Sequence, residues 1–122
     1  MSRKDIAINF LKLAAAGKAR ESQNKFLHPD FKHHNPYFPG DIESLMKGME
    51  ENAAQFPGKV YKVFQAIEED DRVAVHGSVR LTNNHPEIAL IHIFRFEGDL
   101  IIETWEAAQE TPANMPNENG MF

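Results

Sequence analysis

Six histidines and no cysteine in a chain of 122 residues place the proton chemistry available near neutral pH on imidazole rings. A histidine held in a partly apolar pocket can take up or return a proton at physiological pH. The candidates are His33, His34, His76 and His92, which lie in segments expected to converge. His76, His92 and Glu103 would together offer two nitrogens and a carboxylate, the donor set of a metal face. The spacings that mark such a site, His-x-His, His-x-x-x-His and His-Glu-x-x-His, do not occur, so neither a metal nor another cofactor is expected. There is also no Gly-x-Ser-x-Gly elbow, Gly-rich phosphate loop or dinucleotide fingerprint, which disfavours acyl-enzyme and nucleotide chemistry. A single strand histidine is ordinarily a packing or surface residue. The chemical reading therefore depends on what the fold places beside each ring.

Three helices and four strands must do that positioning. Ser2 is a candidate N-cap, with Asp5 in the first turn, for a helix whose apolar residues Ile6, Phe10, Leu13 and Ala14 recur at helical spacing until Gly17. Glu21 to Leu27 reads as a short second helix ending before His28-Pro29. Asp41 caps a third, lined by Leu45, Met46, Met49 and Ala53 and closed by Pro57-Gly58. The period then changes to alternation over Val60–Ile67, Arg72–Leu81, Ile88–Phe96 and Leu100–Ala108. The connections between these runs are too short for crossover helices, so the sheet is expected to be an antiparallel meander.

Turn positions give an expected register. A two-residue turn at Gly98-Asp99 sets His92 opposite Trp105 and Phe94 opposite Glu103; a turn near Asn84 sets His76 opposite His92; a turn at Asp70-Asp71 sets Gln65 opposite His76. On this register Gln65, His76, His92 and Trp105 form one row across all four strands. Ser78, Leu90, Phe94 and Glu103 share its face. Trp105 and Phe94 are core-forming types that also make a wall for a planar ligand. The other face, with Val73, Val75, Val79, Ile91 and Ile93, is almost as apolar, and a sheet with two apolar faces calls for a second cover. A homodimer through the sheet is the expected partner.

Composition narrows the class further. The size fits one domain over residues 1–122, with the Pro/Asn-rich stretch from Thr111 read as a tail over 111–122. At 42% hydrophobic and 25% charged residues the chain can bury a core. A formal charge of −5 argues against a nucleic-acid partner. Asn9 and Lys12 interrupt the first apolar segment, so neither a secretory leader nor a membrane span is expected, and the location expected is the cytoplasm.

Three stretches carry a family resemblance: His34-Asn35-Pro36 ahead of Pro39-Gly40; the strand-turn-strand from Ile91 through Phe94-Arg95 and Gly98-Asp99 to Glu103-Thr104-Trp105; and the ending with Gln109, Pro112, Asn114 and Asn119-Gly120-Met121-Phe122. Together they resemble SnoaL-like proteins, the polyketide cyclase-like family of the nuclear-transport-factor-two-like superfamily. The resemblance covers nearly the whole chain. It implies an α+β cone, in which a curved antiparallel sheet wraps N-terminal helices around one deep pocket and dimers are common. It also implies a general base for aldol closure on the strand before the Phe-Arg pair. The matching position here holds His92 where the family's cyclases use an acid, and His76 or Ser78 matches a second histidine frequent on the preceding strand.

Two functions remain open at this level. One is an enzyme without a cofactor that abstracts a proton from a small carbonyl compound for cyclisation or isomerisation. In it His92 is the base, His76 and Gln65 orient the base or the enolate, Glu103 tunes its charge, and His34, Asn35 and Tyr37 edge the pocket mouth. The other is a binding protein for an apolar small molecule, in which Leu90, Phe94 and Trp105 contact the ligand and no chemistry follows. The ending Met121-Phe122 is expected to anchor the tail, near the pocket or across a dimer.

Overall fold

Ser2 starts helix α1 (Arg3–Ala15) with a capping box: its hydroxyl accepts from the Asp5 amide, and the Asp5 carboxylate accepts from the Ser2 amide. The computed structural model describes residues 1–122. After α1 come α2 (Ala19–Phe26), β1 (Leu27–His33), α3 (Ile42–Gln55), β2 (Val60–Glu69), β3 (Arg72–Arg80), β4 (Ile88–Glu97) and β5 (Leu100–Glu110). Asp41 caps α3 as expected, accepting from the Ser44 amide at 2.7 Å. The four expected strands form the meander β2-β3-β4-β5, and the fold is a mixed α+β one with the three helices against a curved five-stranded sheet. No helix is long and apolar enough to cross a membrane.

The fifth strand was not expected. β1 pairs parallel to β5 at the sheet edge, placing Leu27, Phe31 and His33 toward the core. Pro29 reads as a breaker, but proline is tolerated in an edge strand where its missing N–H leaves no ladder bond unmade. The β1 ladder is irregular between Leu27 and Lys32, the stretch that contains it.

The inner face of the sheet packs on α1. Phe10, Ile6 and Leu11 meet Val73, Val75, Phe94 and Ile101, and the Phe10 and Phe94 rings stand edge to face at 6.0 Å. Arg3 fastens the start of α1 to two hairpin turns, donating to the carbonyls of Asp70 at 2.8 Å and Gly98 at 3.1 Å. Both turns need backbone in the left-handed region, at Asp70 (φ 54°) and Gly98 (φ 59°).

Register departs from expectation in two of three hairpins. Gln65 does face His76. Between β3 and β4, however, His92 lies opposite Val75 and His76 opposite Ile91, one residue from the expected alignment. The loop joining them spans residues 81 to 87, and a loop of that length does not fix its own centre. Between β4 and β5 the turn pairs Glu97 with Leu100 as expected. A bulge then inserts Ile102, so that Arg95 faces Glu103 and His92 faces Glu106. Each one-residue slip moves a side chain to the other face. The expected row is therefore split: His92 and Phe94 point inward, and Gln65, His76, Glu103 and Trp105 lie on the outer face.

Gly77 lies on β3 opposite Val63, where the backbone of β2 leaves no room for a side chain. A Cβ there would come within 2.4 Å of the Lys62 carbonyl oxygen, a backbone atom that cannot rotate away. Gly77→Ala is expected to destabilise the fold by ~1–3 kcal/mol through overpacking, measured as a lower urea midpoint at unchanged m-value.

Candidate functional site

A cavity of about 360 Å³ lies between α1, α3 and the inner face of the sheet, within the range of small-molecule pockets. Of its 19 lining residues 12 are hydrophobic, so any polar group inside is there at a cost and stands out. Phe10, Leu11 and Ala14 come from α1, Leu45 and Met49 from α3, and Tyr61, Leu90, His92, Thr104 and Glu106 from the strands.

The polar centre is a pair joined across β4 and β5. The His92 Nε2 atom lies 3.3 Å from Glu106 Oε2, and Asn35 donates from Nδ2 to Glu106 Oε1 at 2.5 Å. Burial pushes the Glu106 carboxyl up; the hydrogen bond and charge of His92, with the Asn35 bond, outweigh it and hold the group below the usual carboxylate range. Glu106 is therefore an anion inside an apolar cavity.

The loop after β1 places Asn35. His33 is buried, its Nδ1 accepts from the Asn35 amide at 3.1 Å, and its Nε2 is 2.9 Å from the Pro39 carbonyl oxygen. With Nδ1 accepting, the proton sits on Nε2 and is donated to Pro39, so one ring staples both ends of the loop. The Asn35 side chain adds an Asx turn by accepting from the Tyr37 amide at 2.9 Å.

Three buried side-chain atoms have no hydrogen-bond partner: Tyr61 Oη, His92 Nδ1 and Thr104 Oγ1. All three belong to residues lining this cavity. Burial holds the Tyr61 hydroxyl protonated, pushed up to about 12. Unpaired buried polar atoms are uncommon and cost ~1–3 kcal/mol each, and here all three fall on residues around one cavity, just behind its surface.

Of the expected site residues, the structure brings His92, Asn35 and Leu90 to the cavity. It does not bring the others. Glu103 is on the outer face, taking hydrogen bonds from Arg95 at 2.9 Å and lying 2.6 Å from His34 Nε2. The bond to His34 first, and Arg95 as well, hold its carboxyl low against its partial burial. His34 stacks on Trp105 at 5.2 Å, also outside, and the Arg72 guanidinium lies over the same indole. His76 and Gln65 hydrogen-bond each other at 3.1 Å on the outer face. Ser78 is buried but donates to Glu87 at 2.6 Å, away from the cavity lining. Phe94 is wholly in the core, and Tyr37 is 87% exposed. The donor set His76, His92 and Glu103 is thus divided by the thickness of the sheet. Glu106, Tyr61 and Thr104 were missed. The adjacent apolar residues Ile101-Ile102, which break strand alternation just after a turn, were the available signal for the bulge that turns Glu106 inward.

Comparison with known proteins agrees with this architecture. The model of the SnoaL-like domain matches residues 9–104. Among solved structures the chain is similar to AclR of Streptomyces galilaeus, a candidate hydroxylase, at 19% identity and TM-score 0.73 over 88% of both chains. It is similar to IdmH of Streptomyces antibioticus, a candidate polyketide cyclase, at 18% identity and TM-score 0.71 over 88% of this chain and 92% of that one. An NTF2-like protein of unknown function from Cytophaga hutchinsonii aligns at 16% identity and TM-score 0.71 over 89% and 91%. No curated protein matches the chain.

The lowered Glu106 carboxyl has a consequence for stability. A depressed folded value contributes stability that is complete above the unfolded value and is lost as pH falls through the folded one. Glu106→Gln should cost ~1–3 kcal/mol near neutrality, where a charge-assisted pair is lost. That difference should shrink as pH drops below the ordinary carboxylate range, and chemical denaturation of both proteins across pH measures it.

Proposed function

The chain belongs to the SnoaL-like domain family, and we propose that its cavity takes a small carbonyl compound from which His92 removes a proton at carbon. The observation that carries the reading is the unpaired His92 Nδ1 beside an anion-bound Nε2. In the neutral form of the ring with its proton on Nε2, 3.3 Å from Glu106 Oε2, Nδ1 holds the free electron pair. The imidazolium formed on proton uptake is then stabilised by the carboxylate, as in a triad where the acid orients the base without itself being protonated.

The proton moves from the carbon beside the carbonyl to Nδ1, and the electron pair it leaves passes to the carbonyl oxygen as an enolate. The donors for that oxygen would be the hydroxyls of Tyr61 and Thr104, which belong to the same wall, have no partners and would have to turn toward the cavity. The enolate carbon can then attack a second carbonyl of the same molecule, whose oxygen becomes an alkoxide and takes the proton back from the imidazolium, or the enolate can be reprotonated at another carbon by the imidazolium. The first outcome is an aldol-type cyclisation and the second an isomerisation. Tyr61 and Thr104 take the supporting part that the expected register assigned to His76 and Gln65, and Glu106 takes that of Glu103. Binding without turnover is the second reading, favoured by the predominance of apolar lining.

Exchange of the α-protons of 2-tetralone for deuterium, followed by proton NMR in D2O, tests the reading. The wild-type protein should accelerate exchange, His92→Ala should remove about 10²–10⁴-fold of the acceleration, and Tyr61→Phe should remove a smaller part. Exchange unaffected by His92→Ala overturns the assignment of the base. Binding of the ketone with no acceleration by the wild-type protein favours the second reading.

The outer face supports the homodimer as part of the same proposal. Phe64, Ile67, Ile91 and Ile93 are each at least 40% exposed there, next to Trp105. Phe122 lies on this face, its ring 5.3 Å from Phe64 and 6.5 Å from His76, so the tail end is anchored away from the cavity. A second copy covering the remaining isoleucines would remove a contiguous apolar patch from water. Light scattering at micromolar concentration should give the mass of a dimer, with Ile91→Lys and Ile93→Lys shifting it to the monomer. A monomer in the wild-type protein rejects the assembly and leaves the cavity chemistry standing.

A further inference from the structure

Lys59 is the only lysine or arginine lining the cavity. It follows Pro57-Gly58 at the end of α3 and directly precedes β2. Its ammonium donates to the Asn52 side-chain oxygen at 2.7 Å, a neutral partner. Burial lowers its pKa, and no carboxylate acts against that effect. Arg20, by contrast, is paired with both Glu43 and Glu50. A half-buried ammonium on an apolar wall, with no counter-ion, gains most from an anion supplied by whatever enters.

The two charged residues of the cavity stand at different levels of the sheet. Lys59 enters beside Tyr61, whose row across the strands continues to Val79 and Ile88. Glu106 faces His92, four residues farther along β4 than Ile88. At ~3.3 Å per strand residue the two rows are on the order of 13 Å apart. An anionic group on a ligand is drawn to the Lys59 end and repelled from the Glu106 end, so the charge pattern also fixes which way round the molecule lies.

We infer that the cavity selects an elongated, largely apolar acid, whose carboxylate is held by Lys59 while its carbonyl end reaches His92. The orientation rests on the proton-abstraction reading above; the preference for an acid rests on Lys59 alone. Lys59 is on this account a specificity-determining residue. The proton transfer as written above uses no group of Lys59.

The test compares 2-naphthylacetate with 2-naphthylacetamide, a pair alike in shape and different in charge, by isothermal titration calorimetry at pH 7. The wild-type protein should bind the acid ~10-fold or more tightly than the amide, the size expected of a charge-assisted hydrogen bond away from bulk water. Lys59→Met keeps the length and apolar stem of the side chain. It should abolish the preference and leave amide affinity within about twofold, whereas Lys59→Arg should retain the preference. Equal affinities in the wild-type protein, a preference that survives Lys59→Met, or binding of neither probe overturns the inference. Deuterium exchange of 2-tetralone, which carries no charge, is followed in the wild-type protein as the separate readout of proton abstraction. Accelerated exchange without acid preference therefore defeats only the specificity, and acid preference without exchange defeats only the proton abstraction.

Discussion

A carboxylate inside an apolar cavity is stable only where donors replace the water it has lost, and the arrangement around Glu106 is organised by that requirement. One donor arrives from β4 as His92, the other from the loop after β1 as Asn35. Neither could be there without further structure. His92 is brought opposite Glu106 by the bulge at Ile102, and Asn35 is held by the turn that His33 staples between its own neighbour and Pro39. The edge strand β1 is thus more than a cover for β5. It delivers the loop whose amide completes the coordination of the anion. His92 Nδ1, on the other side of the ring from the Glu106 contact, has no partner.

The sheet separates two sets of charges that are close in sequence. Glu103 and Glu106 both leave β5, yet one faces Arg95, His34 and Lys32 outside while the other faces His92 and Asn35 inside. His34 and Asn35 repeat the division on the neighbouring segment, one stacked on Trp105 and the other bonded to Glu106. Alternation along the pleat is what allows an outer surface rich in aromatic and aliphatic groups to coexist with a cavity that holds only a few polar groups. Local backbone order is common to both, so the strand that fixes the outer ion pairs also fixes the direction of the Glu106 carboxylate.

Much of the fold could be read from the chain. The Ser2 and Asp41 caps, the four strand runs and the tight turn at Gly98-Asp99 are local signals, each set by a few neighbouring residues, and the structure has them where they were expected. Family membership was legible from longer motifs. His92, Asn35 and Leu90, expected at a pocket, line the cavity. Which residues share a face was not legible to the same degree, because register depends on single-residue events. Both candidate faces are apolar, with Leu90 and Phe94 on one and Ile91 and Ile93 on the other, so hydrophobicity alone does not choose between alignments that differ by one residue.

Electrostatics supplies the criterion that hydrophobicity lacks. In the alignment expected from turns alone, Glu103 would share the inner face with Phe94 while Arg95 pointed to the opposite side, leaving a carboxylate in the core without that cation. The observed bulge costs one unpaired residue in the ladder, Ile102, and in return sets Arg95 directly across from Glu103 with a 2.9 Å hydrogen bond. A directly opposed pair of opposite charge stabilises a sheet by a fraction of a kcal/mol, while an uncompensated buried carboxylate costs several, so the second effect decides the alignment. Once Arg95 and Glu103 are matched outside, strict alternation carries Glu106 inward to His92. The cavity's anion is therefore a consequence of satisfying a different carboxylate on the far side of the same strand.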